Sequence, residues 1–306
     1  MNMKKQRLGQ SDIYITPLSL GAMSLGKDKQ KASNMIDEAI YNGINHIDTA
    51  DLYDFGENER IIGEAVKEKR HDIILTSKVG NHFNKEKKEW FWDPSPAYIH
   101  QAIDASLKRL QTDYLDLYLL HGGTIEDPID DIIETFERLK EKGKIRAYGI
   151  SSIRPNVIDA YVHRSNINAI MMQYNILDRR PEELFAKIAE KDIHVLARGP
   201  FAKGILTDQT IVQIEKKAKE GYLSYAYEQL KEVLTSISSF QKSNLATIAL
   251  QYVLQQDVVR SAVFGASSMD QLNKNIAAYT SEKLPPDIYI QLQSITKQLL
   301  YEQHRL

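Results

Sequence analysis

The chain has no cysteine among its 306 residues. Disulfide bonds, thiol nucleophiles and cysteine-ligated metals are therefore excluded, and a reducing compartment permits this composition. The N-terminal segment 1–8 has basic residues but no apolar stretch behind them, so it lacks the pattern of a secretory signal peptide. No apolar run approaches the roughly 20 residues that a membrane helix needs. We expect a cytoplasmic protein with no metal site and no membrane partner.

The chain also has no large net charge of either sign. The formal net charge is −2, so the chain lacks the basic footprint of a nucleic-acid-binding protein. Lysines and glutamates are mixed in segment 85–89, which is typical of a solvated surface. A hydrophobic fraction of 42% over this length supports a large buried core. We expect a monomer or small homo-oligomer whose partner is a small molecule and not a nucleic acid.

The chain does contain a regular alternation of short apolar runs and longer segments with helical spacing. Proline and glycine frame two of the predicted helices, 98–110 and 129–142. This alternation predicts a parallel α/β sheet, and eight such units over about 250 residues fit one closed (β/α)8 TIM barrel domain spanning 1–306. The eight predicted strands are Leu18–Gly21, Ile44–Ile47, Ile73–Val79, Leu115–Leu120, Ile145–Ile150, Ala169–Met172, Ile193–Ala197 and Ser261–Phe264.

A doubly wound open sheet is the alternative fold. Such sheets usually bind a dinucleotide at a G-x-G-x-x-G turn after the first strand. Here the turn 20–26 reads LGAMSLG, which lacks that spacing, so the barrel is favoured.

Three additions to the barrel are predicted. Segment 4–16 has the pattern of a β-hairpin that precedes the first barrel strand. Segment 202–222 is a long insertion with weak helical spacing at 211–218; because it follows a strand, we expect it at the active-site face. The C-terminal segment 288–300 has apolar spacing and is expected to pack on the barrel.

Polar residues end three consecutive predicted strands. Asp48 ends the second strand, Lys78 lies near the end of the third, and His121 follows the fourth; Tyr53 comes five residues after Asp48. Taken singly, these residues could be a helix cap, a lysine at the core edge and a turn histidine. Because the carboxyl ends of barrel strands meet at one rim, their joint occurrence favours a shared site.

The four residues suggest general acid–base chemistry. A phenol with a pKa of about 10 is a poor acid near neutrality, but a neighbouring ammonium stabilises the phenolate. Asp48 would keep Lys78 charged, Lys78 would activate Tyr53, and His121 would align a carbonyl oxygen. Such a group suits a carbonyl that gains negative charge.

These motifs resemble those of the aldo-keto reductases over essentially the whole chain. The matching segments are the N-terminal hairpin, 20–21, 47–53, 56–59, 76–78, 113–121 and 143–151. The resemblance implies that Asp48, Tyr53, Lys78 and His121 are the catalytic tetrad, with Tyr53 as general acid/base. It also implies that a nicotinamide cofactor supplies hydride to a carbonyl carbon.

The resemblance also implies a cofactor extended across the barrel mouth. Ser151, Ser152 and Gln173 match the residues that hold the carboxamide, although asparagine is commoner at position 152. The segments that match the pyrophosphate and adenosine contacts lie after the seventh and eighth strands, where helix N–H groups can meet a phosphate. The remaining candidate cofactor residues are Gly21, Asp48, Arg198, Gly199, Pro200, Phe201, Gly204, Leu206, Gly265, Ser267, Ser268, Gln271 and Asn275.

Two departures from the family pattern concern the cofactor. Arg198 stands where many members have an aromatic that stacks on nicotinamide; its guanidinium could stack or contact phosphate. Apart from Lys274, the adenosine segment lacks the cation that often binds the 2′-phosphate. NADPH is favoured by family habit over NADH. For the substrate pocket, Trp90 and Trp92, with Tyr53 and His121, suggest an apolar or aromatic carbonyl compound.

Two other functions are compatible with the tetrad. One is a cofactor-sensing regulatory subunit with little turnover, like the potassium-channel β-subunits that resemble this family. The other is a Schiff-base lyase that uses Lys78, which is disfavoured because Asp48 would keep the amine protonated.

Overall fold

The chain is built around a closed barrel of eight parallel strands, in a computed structural model that describes residues 3–240, 244–280 and 282–305. The barrel runs β3-β4-β5-β8-β9-β10-β11-β12 and closes where β12 pairs with β3. The predicted α/β barrel is confirmed. The strands are β1 (Gln6–Arg7), β2 (Tyr14–Ile15), β3 (Leu18–Gly21), β4 (His46–Asp48), β5 (Ile74–Val79), β6 (Asn81–Asn84), β7 (Glu89–Trp92), β8 (Leu115–Leu120), β9 (Ile145–Ser151), β10 (Ala169–Gln173), β11 (His194–Arg198) and β12 (Val259–Gly265).

Helices cover the outside of the barrel. The predicted helix at 98–110 begins two residues earlier, because Ser95 caps it by accepting a hydrogen bond from the Tyr98 N–H (3.2 Å) and Pro96 occupies the first turn. The helices are α1 (Lys29–Tyr41), α2 (Glu57–Val66), α3 (Pro96–Leu110), α4 (Ile129–Glu141), α5 (Pro155–Arg164), α6 (Phe185–Glu190), α7 (Thr210–Lys217), α8 (Tyr227–Ser239), α9 (Leu245–Leu254), α10 (Met269–Ala277) and α11 (Pro286–Ile295). None of the described helices is long and apolar enough to span a bilayer.

The second barrel strand begins two residues later than predicted. The Ile44 N–H donates to the Ala39 carbonyl of α1 (3.0 Å), so this residue closes the end of the helix and does not pair with a neighbouring strand among the described residues. The next residue, Asn45, accepts a hydrogen bond from the Thr16 N–H (2.9 Å). Strand pairing therefore starts at His46 and includes Asp48, whose Cα is paired with those of Gly21 and Thr76.

The N-terminal hairpin closes the end of the barrel opposite the predicted site. Its strands β1 and β2 are antiparallel, and Leu8, Ile13 and Ile15 are buried against inward-facing barrel side chains. At the turn, the Gly9 N–H donates to His194 Nδ1 (2.7 Å). Gly9 has φ +55°, and a Cβ there would lie 2.7 Å from the Asn168 carbonyl oxygen, so glycine is required. The predicted hairpin is confirmed.

Two buried histidines should make the stability of the fold depend on pH. His46 lies inside the barrel between Ser19 Oγ and Thr76 Oγ1, both at 2.7 Å. Burial, with the charge of Lys78, lowers the pKa of His46 from 6.5 to about 3. Burial, with Arg260, lowers the pKa of His194 from 6.5 to about 4. Both pKa values are lower in the folded state, so the unfolded chain binds more protons below pH 6.5.

The contribution of each of these two histidines to the free energy of unfolding should therefore be largest above about pH 6.5 and should fall by about 1.4 kcal/mol per pH unit as the pH decreases to 5. His121, whose pKa is also lowered, adds a contribution of the same sign, and Asp51, whose pKa is raised by burial, adds one of the opposite sign. Urea unfolding at pH 7, 6 and 5 measures this slope. His194→Gln should reduce it by one histidine's share, because glutamine offers Gly9 an acceptor that does not titrate. An equal slope in the native protein and in His194→Gln would contradict the prediction.

Three segments outside the barrel strands form regular secondary structure. The segment after β5 is the hairpin β6–β7, in which Phe83 pairs with Trp90 and Asn81 with Trp92. The insertion after β11 contains α7, close to the helical spacing predicted at 211–218, and it buries Ile214. The C-terminal helix α11 buries Leu292 and packs against α8.

Candidate active site

The ends of β4, β5 and β8 bring the predicted tetrad together. These three strands are neighbours in the barrel, so Asp48, Lys78 and His121 lie at one rim. Lys78 Nζ is 2.8 Å from Asp48 Oδ1 and 2.9 Å from Oδ2. It lies 3.4 Å from Tyr53 Oη. The rings of Tyr53 and His121 meet edge to face, with centroids 5.9 Å apart.

The ammonium of Lys78 is fully buried and is held by oxygen atoms. Besides Asp48, it donates to the Thr49 carbonyl at 2.7 Å. Burial opposes its charge, but the attraction of Asp48 and Tyr53 is larger, so the pKa of Lys78 is raised. Burial raises the pKa of Asp48, and the ammonium of Lys78 counteracts that rise. We conclude that the two residues form a buried ion pair whose positive end faces the phenol.

The imidazole of His121 is neutral. Burial, together with the positive charges of Lys78 and Arg198, lowers its pKa from 6.5 to about 3. The backbone of His121 is held by the sheet, because its main-chain N–H donates to the Val79 carbonyl at 2.7 Å. Its Nδ1 is buried and has no hydrogen-bond partner among the described residues. A neutral imidazole can orient a substrate oxygen through a hydrogen bond without competing for the proton.

Tyr53 reaches the group on a tight turn. The residues after it, Asp54 and Phe55, have φ values of 49° and 54°, in the left-handed region. Asp54 pairs with Lys27 (3.2 Å) in the loop after β3. On the other side of the turn, Asn58 accepts a hydrogen bond from Thr49 Oγ1 at 2.6 Å. These contacts attach the turn on both sides of the phenol.

A second group of buried charges, not predicted from the sequence, lies behind the turn. Glu59 on α2 accepts hydrogen bonds from Ser77 Oγ and Arg109 Nε, both at 2.6 Å. Next to it, both carboxylate oxygens of Asp51 are buried without a partner among the described residues. Burial, and then the charge of Glu59, raises the pKa of Asp51 well above its usual range. The motif at 56–59, which includes Glu59, is the sequence signal that points to this group, and its pairing with Arg109 is visible only in the folded chain.

A cavity of about 1050 Å³ opens at this rim, and it contains the tetrad and most candidate cofactor residues. Leu206 and Ser268 are outside the lining. Leu206 is completely buried in the core, and Ser268 caps α10 by accepting a hydrogen bond from the Gln271 N–H (3.2 Å). The candidate cofactor residues that line the cavity are Gly21, Asp48, Ser151, Ser152, Gln173, Arg198, Gly199, Pro200, Phe201, Gly204, Gly265, Ser267, Gln271 and Asn275.

The two tryptophans lie outside the lining formed by the described residues. Trp90 is 56% exposed on β7. Trp92 packs on Gly80, where an added Cβ would approach the indole to 2.4 Å, and it also packs on Gly122. Its Nε1 donates to Asp127 (3.0 Å). Trp92 therefore supports the wall from behind Gly122, and neither tryptophan lies among the lining residues, in contrast to their predicted place in the substrate pocket.

Gln173 and Arg198 are joined at the ends of β10 and β11. Gln173 Oε1 accepts a hydrogen bond from Arg198 Nη1 (3.1 Å), and its Nε2 donates to Asp178 (3.0 Å). Asp178 is held in turn by two 2.7 Å bonds from Arg180. This chain of bonds fixes the amide of Gln173 and leaves the guanidinium of Arg198 in the cavity.

Comparison with known proteins places this geometry in a family. The model of the Aldo/keto reductase family matches residues 17–297. The chain belongs to the aldo/keto reductase family. It is similar to the uncharacterized oxidoreductase YqkF of Bacillus subtilis, with 51% identity over 99% of this chain and 100% of the relative. It is also similar to the NADH-specific methylglyoxal reductase of Escherichia coli, with 31% identity over 90% of this chain and 93% of the relative.

Solved aldo-keto reductases have the same structure. The holo form of AKR11C1 from Bacillus halodurans superimposes with a TM-score of 0.95 at 51% identity, and the comparison covers 100% of both chains. The apo form of the same protein gives a TM-score of 0.87 at 48% identity, again over 100% of both chains. As a member of this family, the protein is an oxidoreductase that uses a nicotinamide cofactor.

Proposed function

We propose that this aldo-keto reductase reversibly reduces aldehyde or ketone carbonyls to alcohols with NADPH, and that Tyr53 is the general acid/base. The observation that carries the proposal is the position of the Lys78 ammonium, between the Asp48 carboxylate and the Tyr53 hydroxyl inside the cavity. A buried cation beside a phenol stabilises the phenolate that remains when the proton has left.

Each residue of the tetrad has a distinct task. Tyr53 gives its proton to the carbonyl oxygen in reduction and takes it back in the reverse direction. Lys78, kept charged by Asp48, stabilises the resulting phenolate. His121, neutral at physiological pH, holds the carbonyl oxygen next to the phenol. When bound, the reduced nicotinamide supplies hydride to the carbonyl carbon.

The cavity supports a phosphorylated cofactor. Arg198, Lys203 and Lys217 line it on the side of β11, and among the described residues none of them has a carboxylate within 4 Å. Next to them, after the neighbouring strand β12, Ser267 and Gln271 lie at the start of α10, where N–H groups favour phosphate. The closer superposition on the holo than on the apo form of AKR11C1 also supports a cofactor-binding conformation. These features would serve the pyrophosphate that NADH and NADPH share, so we propose NADPH over NADH on family habit, although a relative is named for NADH.

A Schiff-base mechanism finds no support in the charge of Lys78. An amine must lose its proton before it attacks a carbonyl, and the attraction of Asp48 and Tyr53 raises the pKa of this lysine.

We expect NADPH to bind more tightly than NADH and to be oxidised when an aldehyde is added. Fluorescence titration gives both dissociation constants, and the loss of reduced-nicotinamide absorbance with a panel of aldehydes and ketones gives turnover. Tight binding of NADPH without oxidation by any member of the panel would instead indicate the sensor function. A preference for NADH would contradict the cofactor assignment alone.

A further inference from the structure

One cation in the cavity is left unexplained by the catalytic tetrad and by the cofactor contacts. The charged residues of the lining are Asp48, Lys78, Arg154, Arg198, Lys203 and Lys217. Asp48 and Lys78 neutralise one another, and Arg198, Lys203 and Lys217 lie on β11 or the insertion after it. Arg154 belongs to neither set.

The side chain of Arg154 extends away from the proposed cofactor contacts. Arg154 follows the Ser151–Ser152 pair at the end of β9, and its backbone N–H donates to Ser152 Oγ (3.2 Å). The candidate cofactor residues continue from there toward β10, β11 and β12. The guanidinium extends in the opposite direction, because Nη1 donates to the Gly123 carbonyl (2.6 Å) in the loop after β8. Gly123 is two residues after His121, so the charge lies on the His121 side of the cavity.

Most N–H groups of the Arg154 guanidinium make no hydrogen bond to the described residues. Arginine carries five N–H groups, and the bond to Gly123 is the one side-chain hydrogen bond that Arg154 makes to the described residues. The carboxylate that borders this loop, Asp127, already accepts bonds from Trp92 Nε1 (3.0 Å), the Thr124 N–H (2.7 Å) and Thr124 Oγ1 (2.9 Å). No Arg154–Asp127 pair lies within 4 Å. A half-buried guanidinium that uses one N–H group for Gly123 and keeps its other N–H groups available is suited to bind a planar anion.

We propose that Arg154 binds an anionic group, a carboxylate or a phosphate, on the carbonyl substrate, and that it is a specificity-determining residue of this enzyme. The proposal rests on the proposed carbonyl reduction and names its substrate class. It replaces the expectation of an apolar or aromatic substrate, because the tryptophans behind that expectation lie outside the cavity lining.

Pairs of aldehydes that differ only in an anionic group test the proposal. For the carboxylate we use 4-oxobutanoate against butanal, and for the phosphate glyceraldehyde 3-phosphate against glyceraldehyde. The native enzyme should prefer the anionic member of at least one pair by roughly tenfold to a hundredfold in kcat/KM, the range of a charge-assisted hydrogen-bonded pair. The pair that shows the preference identifies the anion.

Arg154→Met should abolish that preference through a loss of kcat/KM for the anionic aldehyde, with less than a threefold change for the uncharged one. Arg154→Lys keeps the charge without the planar fork and should retain part of the preference. Arg164→Met is the matched control: it makes the same change at the other end of α5, where the arginine is exposed and pairs with Asp130 (3.1 Å). This control should leave both kcat/KM values unchanged.

Three outcomes would overturn the proposal: equal kcat/KM for both members of each pair, an equal loss for both members in Arg154→Met, or weaker NADPH binding in that variant. If the native enzyme reduces none of the four aldehydes, carbonyl reduction of this class fails separately. Calorimetry of 4-hydroxybutanoate and glycerol 3-phosphate with the NADP⁺-bound protein then decides the anion site. Binding that Arg154→Met loses and Arg164→Met keeps supports it; no binding to the native protein overturns it.

Discussion

Tyr53→Phe should lower kcat for carbonyl reduction by roughly a hundredfold to ten-thousandfold, the range that general acid catalysis contributes. The substitution removes one hydroxyl and keeps the ring that packs edge to face on His121 at 5.9 Å. The fold and the cofactor contacts should therefore survive. Steady-state kinetics measure the loss, and NADPH titration should give a dissociation constant within about threefold of the native value.

The control for this variant removes a tyrosine hydroxyl elsewhere. Tyr161 on α5 is buried, and its hydroxyl has no hydrogen-bond partner among the described residues. Tyr161→Phe should retain native kcat. If Tyr53→Phe also kept most of its activity, the proton would have to come from another group, and the assignment of Tyr53 would be wrong.

Lys78→Met should remove activity and also destabilise the fold by about 3–5 kcal/mol, the usual cost of breaking a buried ion pair by deleting one partner. The deletion leaves the Asp48 carboxylate without its cation and the Thr49 carbonyl without its donor (2.7 Å). Urea unfolding at pH 8 measures the stability difference from the native protein. The difference should be smaller at pH 5, because burial raises the pKa of Asp48 and, without Lys78, this carboxyl takes up a proton in the folded state.

The double variant Asp48→Asn/Lys78→Met separates stability from catalysis. Removing both charges leaves no uncompensated carboxylate, so much of the lost stability should return. Activity should stay low, because no cation remains to stabilise the phenolate of Tyr53. Native stability in the single variant Lys78→Met would show that Asp48 and Lys78 are not an ion pair in the folded protein.

The convergence of the tetrad could be predicted because it depends on strand ends. Asp48, Lys78 and His121 each come at or just after the end of an apolar run. Once the runs are neighbours in a parallel barrel, their carboxyl ends meet at one rim. The shift of the second strand to His46–Asp48 did not disturb this arrangement, since Asp48 stays at the strand end.

Residues in the segments that follow the barrel strands were predicted less well, because the direction of their side chains depends on distant contacts. Trp92 is aromatic and near the rim, yet its ring turns toward Gly80 and Gly122, two residues whose missing side chains leave room for it. Leu206 lies in a segment that matches the family's pyrophosphate loop, but it is buried in the core. Neither fact has a signal in the local sequence.

By itself, the sequence allowed the α/β barrel, the family and the grouping of Asp48, Tyr53, Lys78 and His121 to be predicted, because side-chain period, the alternation of apolar runs with helical segments and the family's motifs are all readable along the chain. Only the tertiary structure decided the electrostatics of the cavity. It showed which charges are paired, that Glu59 is bound to Arg109 and Ser77 behind the catalytic turn, and that Arg154 extends toward His121. These features depend on desolvation and on distances between residues that are far apart in the sequence, so they exist only in the folded chain.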